Sequence, residues 1–159
     1  MRFILLFSFV SLVSLQSASE TMDELVTRDG LYYKISSDIP FSGEIHGQDR
    51  GSFENGLRHG FWVFHHENGQ VKSEGYYRNG RKQGEWVGYY ANGQLFYRGA
   101  YSDGKKEGLW VSYYDNAKIF YEGHYNAGKE NGRWIGFNPD GSPWAYRTGV
   151  FQNGSKIGD

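Results

Sequence analysis

Few of the side chains that carry chemistry stand together in this sequence. His65 and His66 are the one adjacent histidine pair, and a zinc site needs four tetrahedral ligands drawn from several such residues. Neighbours in an extended strand point to opposite faces, so these two cannot easily share a metal. They also fall in the slots that Tyr89-Tyr90 and Tyr113-Tyr114 occupy further along, which argues for a structural role. Cysteine is absent, which removes disulfides, thiol nucleophiles and thiolate ligands together. The carboxylates Glu74, Glu85, Glu107, Glu122 and Glu130 are spread along the chain, whereas a glycoside hydrolase brings two together in a cleft. No Ser, His and Asp grouping stands out as a nucleophile with its base. The spacing Gly80-x-x-x-Gly84 lacks the Lys-Ser/Thr ending of a phosphate loop. The expectation is a chain with no catalytic residue, no metal and no cofactor.

What the sequence does repeat is structural. Gly51, Gly75, Gly99 and Gly123 recur every 24 residues, and so do Trp62, Trp86, Trp110 and Trp134. Gly60, Gly84, Gly108 and Gly132 keep the same interval. Three columns in phase define a tandem array, the feature to settle before any other. Aromatic residues make up 18% of the chain, with 23 Gly and only 3 Pro, which favours strands and tight turns over helices. The formal charge of −1 gives nucleic acid no basic surface to follow.

Each unit carries two turn signals. One series is Asn68-Gly69, Asn92-Gly93, Asn116-Ala117 and Asp140-Gly141; the other is Asn55-Gly56, Asn79-Gly80, Asp103-Gly104 and Ala127-Gly128. Such pairs between aromatic and β-branched runs predict type I′ hairpins. The predicted fold is all-β: an elongated single antiparallel meander of tandem β-hairpin repeats. With two-residue loops, Trp86 faces Gly99, Gly88 faces Tyr97 and Tyr90 faces Leu95, and directly paired residues share a face. That side, with Trp110, Tyr114, Ile119 and Tyr121, is the expected core. The opposite side pairs Val87 with Arg98, Tyr89 with Phe96, Val111 with Glu122 and Tyr113 with Phe120. Tyr89, Phe96, Arg98, Tyr113, Phe120 and Glu122 are therefore the candidate binding face.

The ends differ from the array. Residues 1–19 read as a secretory signal peptide, with Arg2, an apolar run from Phe3 to Leu15, and Ser17 and Ser19 placing the cut before Glu20. That run, interrupted by Ser8, Ser11 and Ser14, is short of the roughly 20 residues of a spanning helix. Cleavage would remove Arg2 and no acid, leaving a formal charge of −2. Residues 20–50 are expected to form an N-terminal cap with a degenerate repeat, since arrays need ends that cover the last hydrophobic face. Leu31–Ile35 and Phe41–Ile45 are its predicted strands, joined across Ser36–Pro40. Four repeats then fill 51–148, the last one lengthened and carrying Pro139 and Pro143. Residues 149–159 make a partial repeat with an open edge.

The columns G-x-[YF]-x-[ND]-G-x3-G-x-W-x2-[YFH], as in Gly75 to Tyr89, resemble the MORN repeat in its bacterial variant form. The resemblance covers Gly51 to Phe151 and, more loosely, Tyr32 to Ile45, with Ala117 and Ala127 departing at turn positions. It implies an extended sheet of hairpins and a scaffold that binds proteins or membranes. Some bacterial members carry an antitoxin label, which for an exported chain would become an immunity role in the envelope. Two other partners come from the residues themselves. Arg58, Arg81, Lys82, Lys105, Lys106 and Lys129 recur in register and would form a basic row at roughly 10 Å spacing, suited to anionic lipid. Repeated Trp, Tyr and Asn-Gly also resemble choline- and glucan-binding modules, so a cell-wall or glycan binder is the alternative to the scaffold.

Overall fold

Two kinds of turn alternate along the chain, and only one has the expected geometry. At Asn55-Gly56, Asn79-Gly80, Asp103-Gly104, Ala127-Gly128 and Asn153-Gly154, φ is 47–52° at the first residue and 76–87° at the second. These are type I′ turns. At Asn68-Gly69, Asn92-Gly93, Asn116-Ala117 and Asp140-Gly141 only the second residue is left-handed, with φ of 64–93°. There Gly93 N donates to Tyr90 O at 2.9 Å and Tyr90 N donates to Gln94 O at 2.8 Å. This is a type I turn closed by a left-handed residue, the common three-residue hairpin loop. Asn92 suits it because its Oδ1 accepts the Gln94 N–H at 3.0 Å, as Asn68, Asn116 and Asp140 accept from Gln70, Lys118 and Ser142. An Asx turn, not positive φ, selects the residue.

Ala117 holds φ at 64° without a glycine's freedom. Ala117→Gly should therefore stabilise the array by about 0.5–1 kcal/mol, the strain relieved less the flexibility added to the unfolded chain. The check is a higher denaturant midpoint at unchanged slope.

The computed structural model describes residues 20–159, so the signal-peptide expectation lies outside the described residues. No described helix is long and apolar enough to cross a membrane. Thirteen strands follow in order: β1 (Leu25–Arg28), β2 (Leu31–Lys34), β3 (Gly43–Ile45), β4 (Arg50–Glu54), β5 (Leu57–His65), β6 (Val71–Arg78), β7 (Arg81–Tyr89), β8 (Leu95–Ser102), β9 (Lys105–Tyr113), β10 (Ile119–Asn126), β11 (Lys129–Gly136), β12 (Gly149–Gln152) and β13 (Ser155–Gly158). Strands β3 to β13 form one antiparallel sheet in chain order, each paired to the next. At about 4.8 Å per strand this sheet runs roughly 50 Å, so the elongated meander is as predicted.

The cap pairs differently from the expectation. Strand β2 makes its full ladder with β1 and meets the segment across Ser36–Pro40 through a single antiparallel bridge, Tyr33 with Pro40. The cause is Asp29-Gly30, with φ of 49° and 80°, a type I′ turn flanked by too polar a stretch to read as a strand. This hairpin stands apart from the large sheet but is tied to it through Tyr32 N to Gly56 O (2.9 Å), Phe41 N to Tyr32 O (2.8 Å) and Gly56 N to Phe41 O (2.7 Å). Glu20 pairs in parallel with Ile45 along the first edge. Phe41, Ile45, Phe53 and Trp62 are buried together beneath it.

Bulges explain the second glycine column. Gly75 pairs with Trp86 but Tyr76 pairs with Gln83, leaving Gly84 and Glu85 extra on β7. Gly60, Gly84, Gly108 and Gly132 all have φ of 67–79° there. A bulge bends its strand and leaves a ladder group unpaired, and the indole closes that gap. Trp86 Nε1 donates to Tyr76 O at 3.1 Å, Trp110 Nε1 to Ala100 O at 3.0 Å, Trp134 Nε1 to His124 O at 3.1 Å and Trp62 Nε1 to Ser52 O at 3.0 Å. The first glycine column makes room for the ring. A Cβ at Gly51, Gly75, Gly99 or Gly123 would overlap the indole of Trp62, Trp86, Trp110 or Trp134. Trp86 also pairs with Gly99 as predicted, but its ring lies over Gly75 on the strand before. All four indoles are 0–2% exposed and make up most of the core, with Val111 (4%) buried on the opposite face.

Candidate binding surfaces

On the indole side, large and small residues alternate across the strands. Beside the Trp–Gly row runs a second, in which the Tyr97 ring fills the space over Gly88 and stacks on Trp110 at 5.5 Å and 18°. A third row follows the pairs Tyr77–Lys82, Tyr101–Lys106 and Tyr125–Glu130. The bend at each bulge folds this row back over the indoles. Lys82 Nζ sits 3.8 Å from the Trp86 ring centre and 5.0 Å from that of Tyr101. Lys106 Nζ repeats this at 4.3 Å from Trp110 and 4.8 Å from Tyr125. Each amine over a ring face is a cation–π contact. Burial pushes both amines below their ordinary range, and for Lys82 the Lys106 and Arg58 charges add to it. Burial likewise raises Tyr77 and Tyr97, and pushes Tyr101 and Tyr125 up to about 12. The tyrosines are hydroxyl donors throughout the neutral range.

The expected basic row is thus two sets. Arg58, Lys82 and Lys106 turn onto the indole side; Arg81, Lys105 and Lys129 stay exposed along the edge. Arg58 belongs to the cap, its Nη2 donating to Tyr32 Oη at 3.0 Å. Arg81 pairs with Asp103 at 2.6 Å. Consecutive residues of a strand cannot present one charged face.

The outer side also departs from expectation. Val87 pairs with Arg98 and Val111 with Glu122, as predicted. Tyr89, however, pairs with Leu95 and Tyr113 with Ile119, because the three-residue loops add a bulge on β8 and β10. Phe96 and Phe120 leave the outer face. Phe96 packs on Tyr90 (4.8 Å) and Tyr97 (5.6 Å); Phe120 packs on Tyr114 (4.7 Å) and stacks on Trp144 (5.7 Å, 14°). Leu95 and Ile119 take the outer positions through their pairs. The face that remains combines Tyr89, Arg98, Tyr113 and Glu122, and Tyr89 Oη donates to Glu74 Oε1 at 3.3 Å.

Sequence reasoning missed the most exposed apolar groups of this side. Phe61 (45% exposed) and Tyr76 (56%) pack on each other at 5.1 Å, and Leu109 is 51% exposed. Phe61 and Leu109 directly follow the bulge glycines Gly60 and Gly108, so the third column of the repeat was the available signal. A groove of about 400 Å³ lies between Val87, Arg98, Ala100, Leu109 and Val111. Along the ladder Val63, Glu74, Val87, Arg98, Val111, Glu122 and Ile135 stand side by side through successive pairs. Charge alternates in sign at every second strand.

His66 has the structural place expected of it. Its Nε2 lies 3.0 Å from Tyr89 O, where Tyr90 Oη donates to Tyr113 O (2.7 Å) and Tyr114 Oη to Phe137 O (2.9 Å). His65 turns instead to Gln48 O in the cap. Among the described residues no cluster of three or more His, Cys, Asp or Glu side chains could hold a metal ion.

Comparison with known proteins agrees with this geometry. The family model described as MORN repeat variant matches residues 58–79, 82–103 and 106–127. Each match spans one type I′ turn to the next across a whole hairpin, and the offset between matches is the 24-residue period of the Trp column. No curated protein matches the chain.

Proposed function

We propose that this chain, whose residues 58–127 are tandem MORN repeats, is an exported, non-catalytic scaffold that holds a protein partner against the outer face of its sheet. MORN repeats often bind proteins or membranes, and the choice of a protein rests on the outer face itself. Phe61, Tyr76 and Leu109 are exposed beside the ladder in which Glu74, Arg98 and Glu122 alternate. An anionic bilayer attracts one sign of charge. Alternating signs around apolar anchors fit a folded surface of complementary pattern, where charge sets register and apolar groups supply affinity. Export is supported by the layout of residues 1–19.

One experiment tests both parts. Envelope fractions are solubilised and the protein is recovered with whatever it holds, beside the Tyr76→Asp/Leu109→Asp variant. Both replaced side chains are more than half exposed, so the fold should tolerate the change. The expected result is a chain beginning at Glu20, with one protein recovered stoichiometrically and its yield cut more than about tenfold by the variant, the loss of about 1.4 kcal/mol or more. Recovery of the same protein by the variant would overturn the outer face; an uncleaved chain in the cytoplasmic fraction would overturn export.

A further inference from the structure

The indole side is also a surface, and it carries two amines without an ion pair. Both ends are walled. At the N-terminal end Thr21–Asp23 and His46–Asp49 line, with Phe64, Ser73, Tyr77 and Lys82, a half-open pocket of about 760 Å³. At the other end Arg147 lies over Gly136 and Tyr121 and pairs with Glu130 at 2.7 Å. Lys82, in the lining of that pocket, and Lys106, one repeat further on, have no ion pair among the described residues. The carboxylates on this side include Asp23 and Asp49, which share the pocket with Lys82, and Glu130, which pairs with Arg147 and also acts on Lys106. A chain whose formal charge is −1 thus keeps two cations without an ion pair in a trough and puts Glu74 and Glu122 on its back. Two half-buried amines beside each other oppose one another, which an anion between them would relieve.

We propose that this trough is a second binding site, separate from the outer face, that takes an extended anionic polysaccharide whose acidic groups meet Lys82 and Lys106 in succession. The spacing supports a sugar chain. Lys82 and Lys106 lie two strands apart, roughly 10 Å, comparable to the advance of two sugars in an extended chain that alternates neutral and acidic units. The lining supports it too: Tyr77, Tyr97, Tyr101 and Tyr125 present ring surface and hydroxyl donors, a mixture suited to sugars. A peptide would find less, because this is a sheet face and not an edge, and it offers no free backbone ladder to extend. A flat bilayer cannot reach amines seated over indoles and walled at both ends.

The test uses the purified protein and oligogalacturonate as probe, followed by calorimetry and by tryptophan fluorescence, since Trp86 and Trp110 lie beneath the two amines. Binding is expected to change that fluorescence in the unmodified protein, which places the ligand whatever the variants do. Lys82→Gln/Lys106→Gln keeps much of each stem over its indole and should weaken binding at least about tenfold. Fully methyl-esterified oligogalacturonate should lose as much. Lys105→Gln/Lys129→Gln removes the same charge from the exposed edge and should change affinity by no more than about twofold, as solvent-screened charges do. Equal loss from the two lysine pairs would reduce the effect to bulk charge and overturn the site. Tighter binding of polyglutamate would make it an acidic-peptide groove, and displacement by phosphatidylglycerol vesicles a lipid site. Either result, or no binding of oligogalacturonate, overturns the proposal.

Discussion

Replacing Trp110 by Ala is expected to cost about 3–5 kcal/mol of folding stability, the range for truncating a fully buried aromatic. The indole is 2% exposed in a sheet with no second layer to close over the hole. It packs against Tyr97 (5.5 Å), Tyr101 (5.1 Å) and Tyr125 (5.9 Å), and carries Lys106 on its face at 4.3 Å. Its Nε1–H satisfies Ala100 O at the bulge, a carbonyl left without that partner in the variant. In a chain this size such a loss should lower the melting temperature by about 10–20 °C. Trp144→Ala is the comparison. That ring is partly exposed and touches only the half-buried Phe120 and the exposed Tyr146 among aromatic rings, so its loss should cost roughly 1.5 kcal/mol or less. Equal melting temperatures for the two variants would show that the indoles do not carry the core. Because each repeat contacts only its neighbours, the damage at Trp110 should be largest in the central hairpins, seen as early loss of amide protection over β8 to β10.

How far the fold can be read from the sequence depends on which interactions are local. The period, the meander and the face of the Trp column follow from residues 24 apart and from strand alternation, and the structure has all three. The type I′ series was legible because both of its residues need positive φ, which Asn-Gly announces. The other series carries the same dipeptide for a different reason, an Asx hydrogen bond. That one extra loop residue exchanged Phe96 with Leu95 and Phe120 with Ile119 across the sheet, so two of the six residues proposed for the binding face sit on its back. One-residue slips do this whenever a strand is apolar on both faces and composition cannot report the register. Gly84 and its equivalents were visible as a column, but a bulge is a relation between two strands and no single strand shows it. The same gap hid Phe61 and Leu109, whereas the split of Lys82 from Arg81 follows from strand alternation alone. The Asp29-Gly30 hairpin was missed for the opposite reason: its turn is plain, but β1 is too polar to be read as a strand beside it.

The two glycine columns should respond to substitution in different ways, and this contrast tests the account of the repeat most directly. Gly99→Ala is expected to destabilise by about 2–3 kcal/mol through overpacking, because the new Cβ runs into the Trp110 indole. Its backbone is not left-handed, so space is the whole objection. The ring has nowhere to move without breaking its bond to Ala100 O and its stack on Tyr97. Gly108→Ala meets nothing within 4 Å but must hold φ at 68°, so it should cost about 1–2 kcal/mol through backbone strain. A double-mutant cycle separates the mechanisms. With Trp110→Ala already present, Gly99→Ala should lose most of its cost, a coupling of about 1.5–3 kcal/mol between touching residues. Gly108→Ala should keep its cost in that background, since strain in φ does not depend on the indole. Denaturant midpoints of the five variants would decide it. If Gly99→Ala and Trp110→Ala proved additive, the first column could not be there to seat the ring, and the reason for its 24-residue recurrence would have to lie elsewhere.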